Sequence, residues 1–418
     1  MIQEILEWYF GLFGFSLITG VLLCLFAIFV DLIWSVIKIG LLIISRLRSL
    51  GKKKECKTYP SISIIIPAHN EEDCIEGSIL SYLESRYPDE KKEIIIVDDA
   101  STDKTYQRAL PYAKKGLIKL YRKTGKSGFK SSPLNYGIAM AKNDVIISLD
   151  ADTRLDVTSL YEITRPFGDE RVMAVAGNVK VKNMKSLLER FQAYEYTFSM
   201  QLGKRIQALL GTILIVPGCF GAFKKEYIKT VGSYDRSSIT EDFDLSLKVK
   251  KRQRIEYAPN ALAWTIAPDS WGSWIRQRIR WSRGEIDTFM RHKNIFFNPY
   301  FGLAGVVAAP GMFFSDVFLL IVRLIYFIAL FLVVFIWKGF DQFFNVLEVY
   351  LRVLIMNLGI YLFIELISVV AILSQPTIKR DLPNILLAPL IVAIYRSIHG
   401  LVRLKGYYDY FRKKSMEW

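Results

Sequence analysis

Apolar positions along this 418-residue chain fall into zones with different spacing. Residues 10–30 form 21 positions without a charge, long enough to cross a bilayer as one helix. No small-residue cleavage motif precedes the next charged stretch, so this run is not read as a removed signal peptide. Residues 31–45 stay apolar but carry Asp31 and Lys38, and no Gly/Pro/Asn turn separates them from the first run. They read as its continuation into an interfacial helix, with a short second span as the alternative. Runs of span length return at 313–337 and 353–375, and Arg323 and Glu365 within them either line a hydrated path or snorkel or pair structurally. A third stretch, 386–404, holds Arg396, His399 and Arg403 and reads as either an interfacial helix or another crossing.

Between these zones the period shortens. Residues 62–66, 93–97 and 145–149 are β-branched runs ending in turn-formers or acids, and 73–84 and 133–141 between them read as helices. That alternation predicts an α/β domain with a mostly parallel sheet and crossover helices. Ligands of such sheets sit at the carboxyl ends of the strands. The division expected is 1–50 for an N-terminal membrane segment, 58–290 for the α/β domain, and 291–418 for interfacial and membrane helices with a basic tail.

Composition and charge then orient this layout. The chain is 52% hydrophobic, with 55 Lys plus Arg against 40 Asp plus Glu, a formal charge of +15. Arg46, Arg48 and Lys52–Lys54 follow the first span, and Arg412–Lys414 lie in the tail. Basic residues flanking apolar runs mark the cytosolic, anionic leaflet. The excess is therefore read as topology, with the α/β domain cytosolic, membrane lipids as partners and no nucleic acid. The four cysteines have neither zinc nor redox spacing.

Each candidate for chemistry has a plain structural alternative. Asp98 and Asp99 leave the second predicted strand where a ligand would bind; Ser101 or Asp103 capping the next helix accounts for the cluster equally. Asp150-Ala151-Asp152 ends the next predicted strand, and alternate residues of an extended segment share a side, so both carboxylates can reach one hard cation, Mg²⁺ or Mn²⁺. In Thr240-Glu241-Asp242 an acid can serve as general base, or Thr240 can cap a helix with the acids at its positive end. Gln277-Arg278-Ile279-Arg280-Trp281 can grip a phosphate and stack a sugar, or line the membrane surface. Lys130 and Asn135 are phosphate or ribose candidates, or a solvated loop and helix start. Pro217–Ala222 is a small-residue run for close backbone approach or a tight turn, and Cys219 has no nearby His to make it a nucleophile.

The order of these motifs, with Pro67-Ala68-His69-Asn70-Glu71-Glu72 before them, resembles the processive family 2 glycosyltransferases, the synthases of cellulose, hyaluronan and poly-N-acetylglucosamine. The resemblance covers about residues 60–290 and is nearest in layout to the poly-N-acetylglucosamine synthases. It implies a GT-A, Rossmann-like domain and inverting transfer from a UDP-sugar donor to a growing glycan or lipid acceptor, at the plasma membrane. Carried over, Asp98 or Asp99 binds uridine, Asp150 and Asp152 bind the donor and its metal, and Asp242 is the base. Gln277 and Arg280, with Lys130, bind the donor diphosphate. Trp281, Glu241, Gly218, Cys219 and Phe220 fall on the acceptor side. Pro133 departs from the family's small residue. Single-sugar transfer to a lipid, a non-catalytic transporter or receptor, and the need for an accessory subunit stay open.

Overall fold

In the computed structural model the described residues are 35–37, 39–43, 59–251, 253–322, 325, 358–366, 368–369 and 377–413. The first apolar run at 10–30, the basic residues 46–54, Arg323, Lys414 and much of the 313–337 and 353–375 runs lie outside them. The chain divides into two compact units, Lys52–Met312 with Leu401–Trp418, and Met1–Gly51 with Phe313–Gly400.

The first unit is built on one eight-stranded sheet in the order β3-β2-β1-β4-β7-β6-β8-β5. The strands are β1 (Ile62–Ala68), β2 (Lys92–Asp98), β3 (Lys119–Arg122), β4 (Val145–Leu149), β5 (Arg154–Leu155), β6 (Val172–Val181), β7 (Phe220–Lys224) and β8 (Arg254–Thr265). Continuous β-branched runs such as Ile62–Ile66 suit central strands covered on both faces, and every residue of β1 and β4 is buried. Helices α1 (Ile75–Leu83), α2 (Thr105–Lys114) and α3 (Ser131–Met140) fall between these strands in the chain; α4 (Ser159–Thr164), α5 (Leu187–Phe198), α6 (Lys225–Thr230), α7 (Glu241–Lys250) and α8 (Trp271–Arg291) follow.

The parallel arrangement expected from sequence holds for β3-β2-β1-β4 and for the β6–β8 pair. β7 runs antiparallel to both β4 and β6, and the sheet is mixed. Two of the strands not expected from sequence, β7 and β3, have weak local signals. β7, Phe-Gly-Ala-Phe-Lys, carries a glycine and a lysine, and β3 is four residues long. Register decides the site's position: Ala68 lies opposite Asp98, and Ile65 opposite Ser148, so β1, β2 and β4 end along one edge.

Among the described residues one helix, Ala304–Val322, is long and apolar enough to cross a membrane, and the pair Ile378–Ile385 and Ala388–Phe411, bent by 53°, qualifies together. In the second unit Glu365 is buried and accepts from Arg396 at 2.7 Å. It is held in an ion pair, the structural alternative to lining a hydrated path.

Candidate active site

The loops leaving β1 and β2 are laced together at the carboxyl edge. His69 Nδ1 lies 2.9 Å from the Asp99 carbonyl, and the Asn70 amide donates to Ser101 Oγ at 3.0 Å. The Glu71 amide donates to Thr105 Oγ1 at 2.7 Å, and that of Glu72 to Asp103 Oδ2 at 3.1 Å. Asn70 and Ala100 sit at φ of 57° and 58°, an uncommon backbone conformation that this network supports. The Pro67–Glu72 motif thus builds the edge, and only Glu71 turns its carboxyl toward other acids.

Asp98 and Asp99 are both fully buried. Asp98 accepts from the Ser101 amide at 3.2 Å and pairs with Arg122 at 3.1 Å. Asp99 pairs with Lys123 at 2.9 Å and accepts from the Ser127 amide and hydroxyl at 3.0 and 2.6 Å. Burial works to raise the Asp99 carboxyl, but Ser127 and Lys123 outweigh it and hold it below the usual range. Both carboxylates therefore have partners within the chain and pin the 122–127 loop. Asp103, not Ser101, turns onto the start of α2, accepting from the Thr105 amide at 2.9 Å.

A different electrostatic situation holds at the end of β4. Asp150 is ion-paired with Lys130, whose ammonium also lies 3.8 Å from Glu241. Lys130 is thus not in a solvated loop. Burial opposes its charge, but Asp150 and Glu241 win and keep it protonated. Asp152 bonds Thr153 Oγ1 at 3.1 Å, and burial followed by the Asp150 charge raises it to about 6. Glu71 rises to about 7, through burial and then the charges of Asp152 and Asp150. Glu241 rises to about 6, chiefly through burial, with Asp242 adding to the rise and Lys130 and Arg280 opposing it. Negative charge is therefore in excess here, with Lys130 as the cation inserted into it. Among the described residues no group of three or more His, Cys, Asp or Glu forms a ready metal cluster.

The segment expected on the acceptor side is a strap between the helical run ending at Leu209 and β7, held at three points. Lys204 donates to the Ile215 carbonyl at 2.5 Å, the Val216 amide donates to Ser246 Oγ at 2.8 Å, and the Gly218 amide to Asp242 Oδ2 at 3.0 Å. A Cβ on Gly218 would meet Asp242 at 3.3 Å, so glycine lets the strap touch this carboxylate. Burial lowers the Lys204 amine to about 8, and the nearby Asp242 charge resists the drop. Burial and the Asp150 charge push the Cys219 thiol well above its ordinary value, which removes it as a nucleophile. Phe220, expected on the acceptor side, is fully buried in the core, its ring filling the space over Gly177.

Helix α8 starts at Ser270, whose hydroxyl accepts from the Ser273 amide at 3.4 Å. It meets the Thr240–Asp242 turn through Gly284, where a Cβ would fall 2.3 Å from the Thr240 side chain. Thr240 occupies the N-cap position of α7, but its side chain makes no cap bond; its hydroxyl lies 3.1 Å from that of Thr288 on α8. Arg278 is 2% exposed, pairs with Glu195 of α5 at 2.8 Å, and stacks 4.4 Å from the Trp281 ring centre. It holds the tryptophan by a cation–π contact rather than gripping a phosphate. Gln277 Oε1 is buried and has no hydrogen-bond partner among the described residues. Asn135 clamps the backbone of Tyr234 with bonds of 2.8 and 3.1 Å, which makes it a brace for the 232–238 turn and not a ribose ligand. Pro133 sits in the first turn of α3, where a missing amide leaves no helical bond unmade.

Sequence reading assigned no role to Glu195 or Lys204, and took Glu71 only as part of the Pro67–Glu72 motif. Glu195 and Arg278 are 83 positions apart, and no local spacing links them.

The site's architecture has counterparts. Residues 63–232 match the model of Glycosyl transferase family 2. The chain is 33% identical over 277 residues to the poly-beta-1,6-N-acetyl-D-glucosamine synthase of Staphylococcus aureus, covering 64% of this chain and 66% of that protein. It is 34% identical over 246 residues to the Staphylococcus epidermidis enzyme of the same name, covering 58% and 59%. The matched stretch thus spans about two thirds of these relatives' length or less. The fold resembles that of a mannosyltransferase from Pyrobaculum calidifontis in complex with GDP-Man and Mn²⁺, with a TM-score of 0.57, 16% identity, and coverage of 95% and 99% of the two chains. With a GT-A-like mixed sheet and its acids gathered at the carboxyl edge, the chain belongs to glycosyl transferase family 2.

Proposed function

We propose that this chain is a membrane-embedded inverting transferase that polymerises a sugar from a UDP-sugar donor into a β-linked polysaccharide, with N-acetylglucosamine as the first sugar to test. The observation that supports it most is the meeting of Lys130, Asp150, Glu241 and Asp242, from three separate segments, where sheets of this type bind ligands. The names of the Staphylococcus relatives support the choice of sugar and of polymer. The apolar helix Ala304–Val322 supports membrane insertion, and the basic residues flanking the apolar runs support a catalytic domain on the cytosolic side of the plasma membrane.

Asp150 and Asp152 would hold Mg²⁺ or Mn²⁺: their hard oxygen donors and the excess negative charge around them, seen in the raised Glu71 and Asp152, fit such an ion. When bound, it offsets charge gathering on the leaving diphosphate. Lys130 and Arg280 place fixed positive charge at the same end of the site. Asp98 and Asp99 act by holding the loops that frame the uridine. Asp242 takes the proton from the acceptor hydroxyl, a poor nucleophile while protonated. Its oxygens accept from the Gly218 and Phe243 amides, which fix its orientation. Trp281, steadied by Arg278, offers a flat face to the acceptor sugar, and Gln277 Oε1 is a ready acceptor for a ligand hydroxyl.

The test is transfer by full-length protein in membranes, supplied with a panel of UDP-sugars and Mn²⁺ or Mg²⁺, followed by sizing of the product. Long products support polymerisation; single-sugar, lipid-extractable products alone overturn it. Asp242→Asn is expected to slow transfer by about 10²–10⁴-fold with donor binding kept. Unaltered transfer from every donor removes Asp242 as the base.

A further inference from the structure

A cavity of about 540 Å³ lies at the opposite end of α7 from the catalytic acids. Glu241 and Lys250 are the first and last residues of that helix, about 14 Å apart along its axis. The cavity is lined by Gly211, Lys250, Gln253, Tyr300, Phe301 and Leu303, among others. No residue placed in the transfer site belongs to it.

Its chemistry is two-sided. On one side Lys250, only 5% exposed, donates to the Gly211 carbonyl at 2.6 Å and has no ion pair among the described residues. An ammonium has three N–H donors, so two remain for a ligand. Burial lowers Lys250 to about 8, a penalty that an anion in the cavity would relieve. The neighbouring cations Lys248 and Arg254 are occupied by Asp244 and by Asp169 with Glu256, whereas Lys251 is exposed and makes no ion pair among the described residues. On the other side the wall is apolar and runs on into an apolar helix. Phe297, Tyr300, Leu303, Val306 and Val307 are all exposed, and Leu303 directly precedes the apolar helix Ala304–Val322. Gly302, at φ 60° and ψ −147°, makes the turn that sets Pro299–Phe301 against the cavity before this helix begins, a conformation other residues avoid.

We infer that this cavity seats the headgroup phosphate of an anionic phospholipid, with Lys250 as its cationic side, Gln253 and Tyr300 as hydrogen-bonding groups, and the acyl chains along Leu303, Val306 and Val307. A phosphate presented at the membrane surface satisfies both the buried ammonium and the apolar rim. A soluble anion would use only the first. The site lies outside the transfer machinery and does not depend on which sugar is transferred.

The experiment uses the purified full-length protein in neutral detergent, titrated with phosphatidylglycerol, phosphatidylcholine or inorganic phosphate, with retained lipid read by native mass spectrometry. Phosphatidylglycerol is expected to be retained over phosphatidylcholine, and Lys250→Gln to weaken that retention by about fivefold or more. Lys250→Arg keeps the charge and is expected to keep retention. Leu303→Asp, on an exposed rim position that does not threaten folding, is expected to weaken lipid retention as well. Equal retention of the two lipids overturns the site, as does a Lys250→Gln protein that binds like the parent. Displacement of phosphatidylglycerol by an equal concentration of inorganic phosphate overturns the lipid assignment.

Discussion

Two acid pairs end strands of the same sheet, and their surroundings are opposite. Asp98 and Asp99, after β2, are each matched by a cation of the chain, Arg122 and Lys123. Asp150 and Asp152, after β4, share one lysine between them and face Glu71 as a further acid. The first pair is compensated within the chain, an arrangement that suits a scaffold. The second is crowded with like charge, and that excess is what a cation and a diphosphate-bearing donor can use. Two adjacent carboxylates at a strand end therefore say little about role until their counter-charges are known.

The comparison is broken most sharply by neutralising one acid from each pair. Asp152→Asn is expected to lower metal-dependent transfer by about 10²-fold or more, in line with loss of a group stabilising transition-state charge, while leaving the protein folded. Asp99→Asn is expected to act mainly on stability. It leaves the Lys123 ammonium, 20% exposed, without its carboxylate, at about 2 kcal/mol, read as a lower thermal midpoint that Lys123→Met partly restores. If Asp99→Asn abolishes transfer with no loss of stability, the scaffold reading of the first pair fails.

A pH scan of unfolding in the presence of a chelator separates the pairs next. Glu71 and Asp152 titrate at about 7 and about 6 in the folded protein, above their unfolded values. The folded state binds their protons more tightly, so their contribution is full at low pH and is lost as pH rises from about 4 to 7. Asp99 is lowered, so its contribution is present above about 4 and is lost as pH falls below that. Added Mn²⁺ is expected to flatten the first slope and leave the second. A first slope that Mn²⁺ leaves unchanged argues against ion binding at Asp150 and Asp152.

The smallest expected effects test how the acids are held. Arg278→Lys keeps the charge but loses the planar stack on Trp281, so the acceptor KM is expected to rise about threefold with kcat kept. Thr240→Ala removes a side chain that makes no cap bond, so its cost is expected to stay near the low end of cap substitutions, about 0.5 kcal/mol. A loss of 2 kcal/mol would restore the capping role.

The β-branched runs of β1, β2 and β4, the acids at their ends and the long apolar segments were readable along the chain, because period and strand length are local properties. So was the membership that the order of the motifs suggested. The antiparallel β7 was not, since Phe-Gly-Ala-Phe-Lys becomes a strand only by pairing with β4 and β6 on either side. Nor was the inward turn of Phe220, which depends on the space over Gly177, or the grip of Glu195 on Arg278 across 83 positions. Most of all, sequence placed two alike acid pairs at strand ends, and only the tertiary structure decided which was neutralised. Charge compensation depends on distances between remote segments, and at a few ångströms those distances set whether a carboxylate is a strut or a binding group.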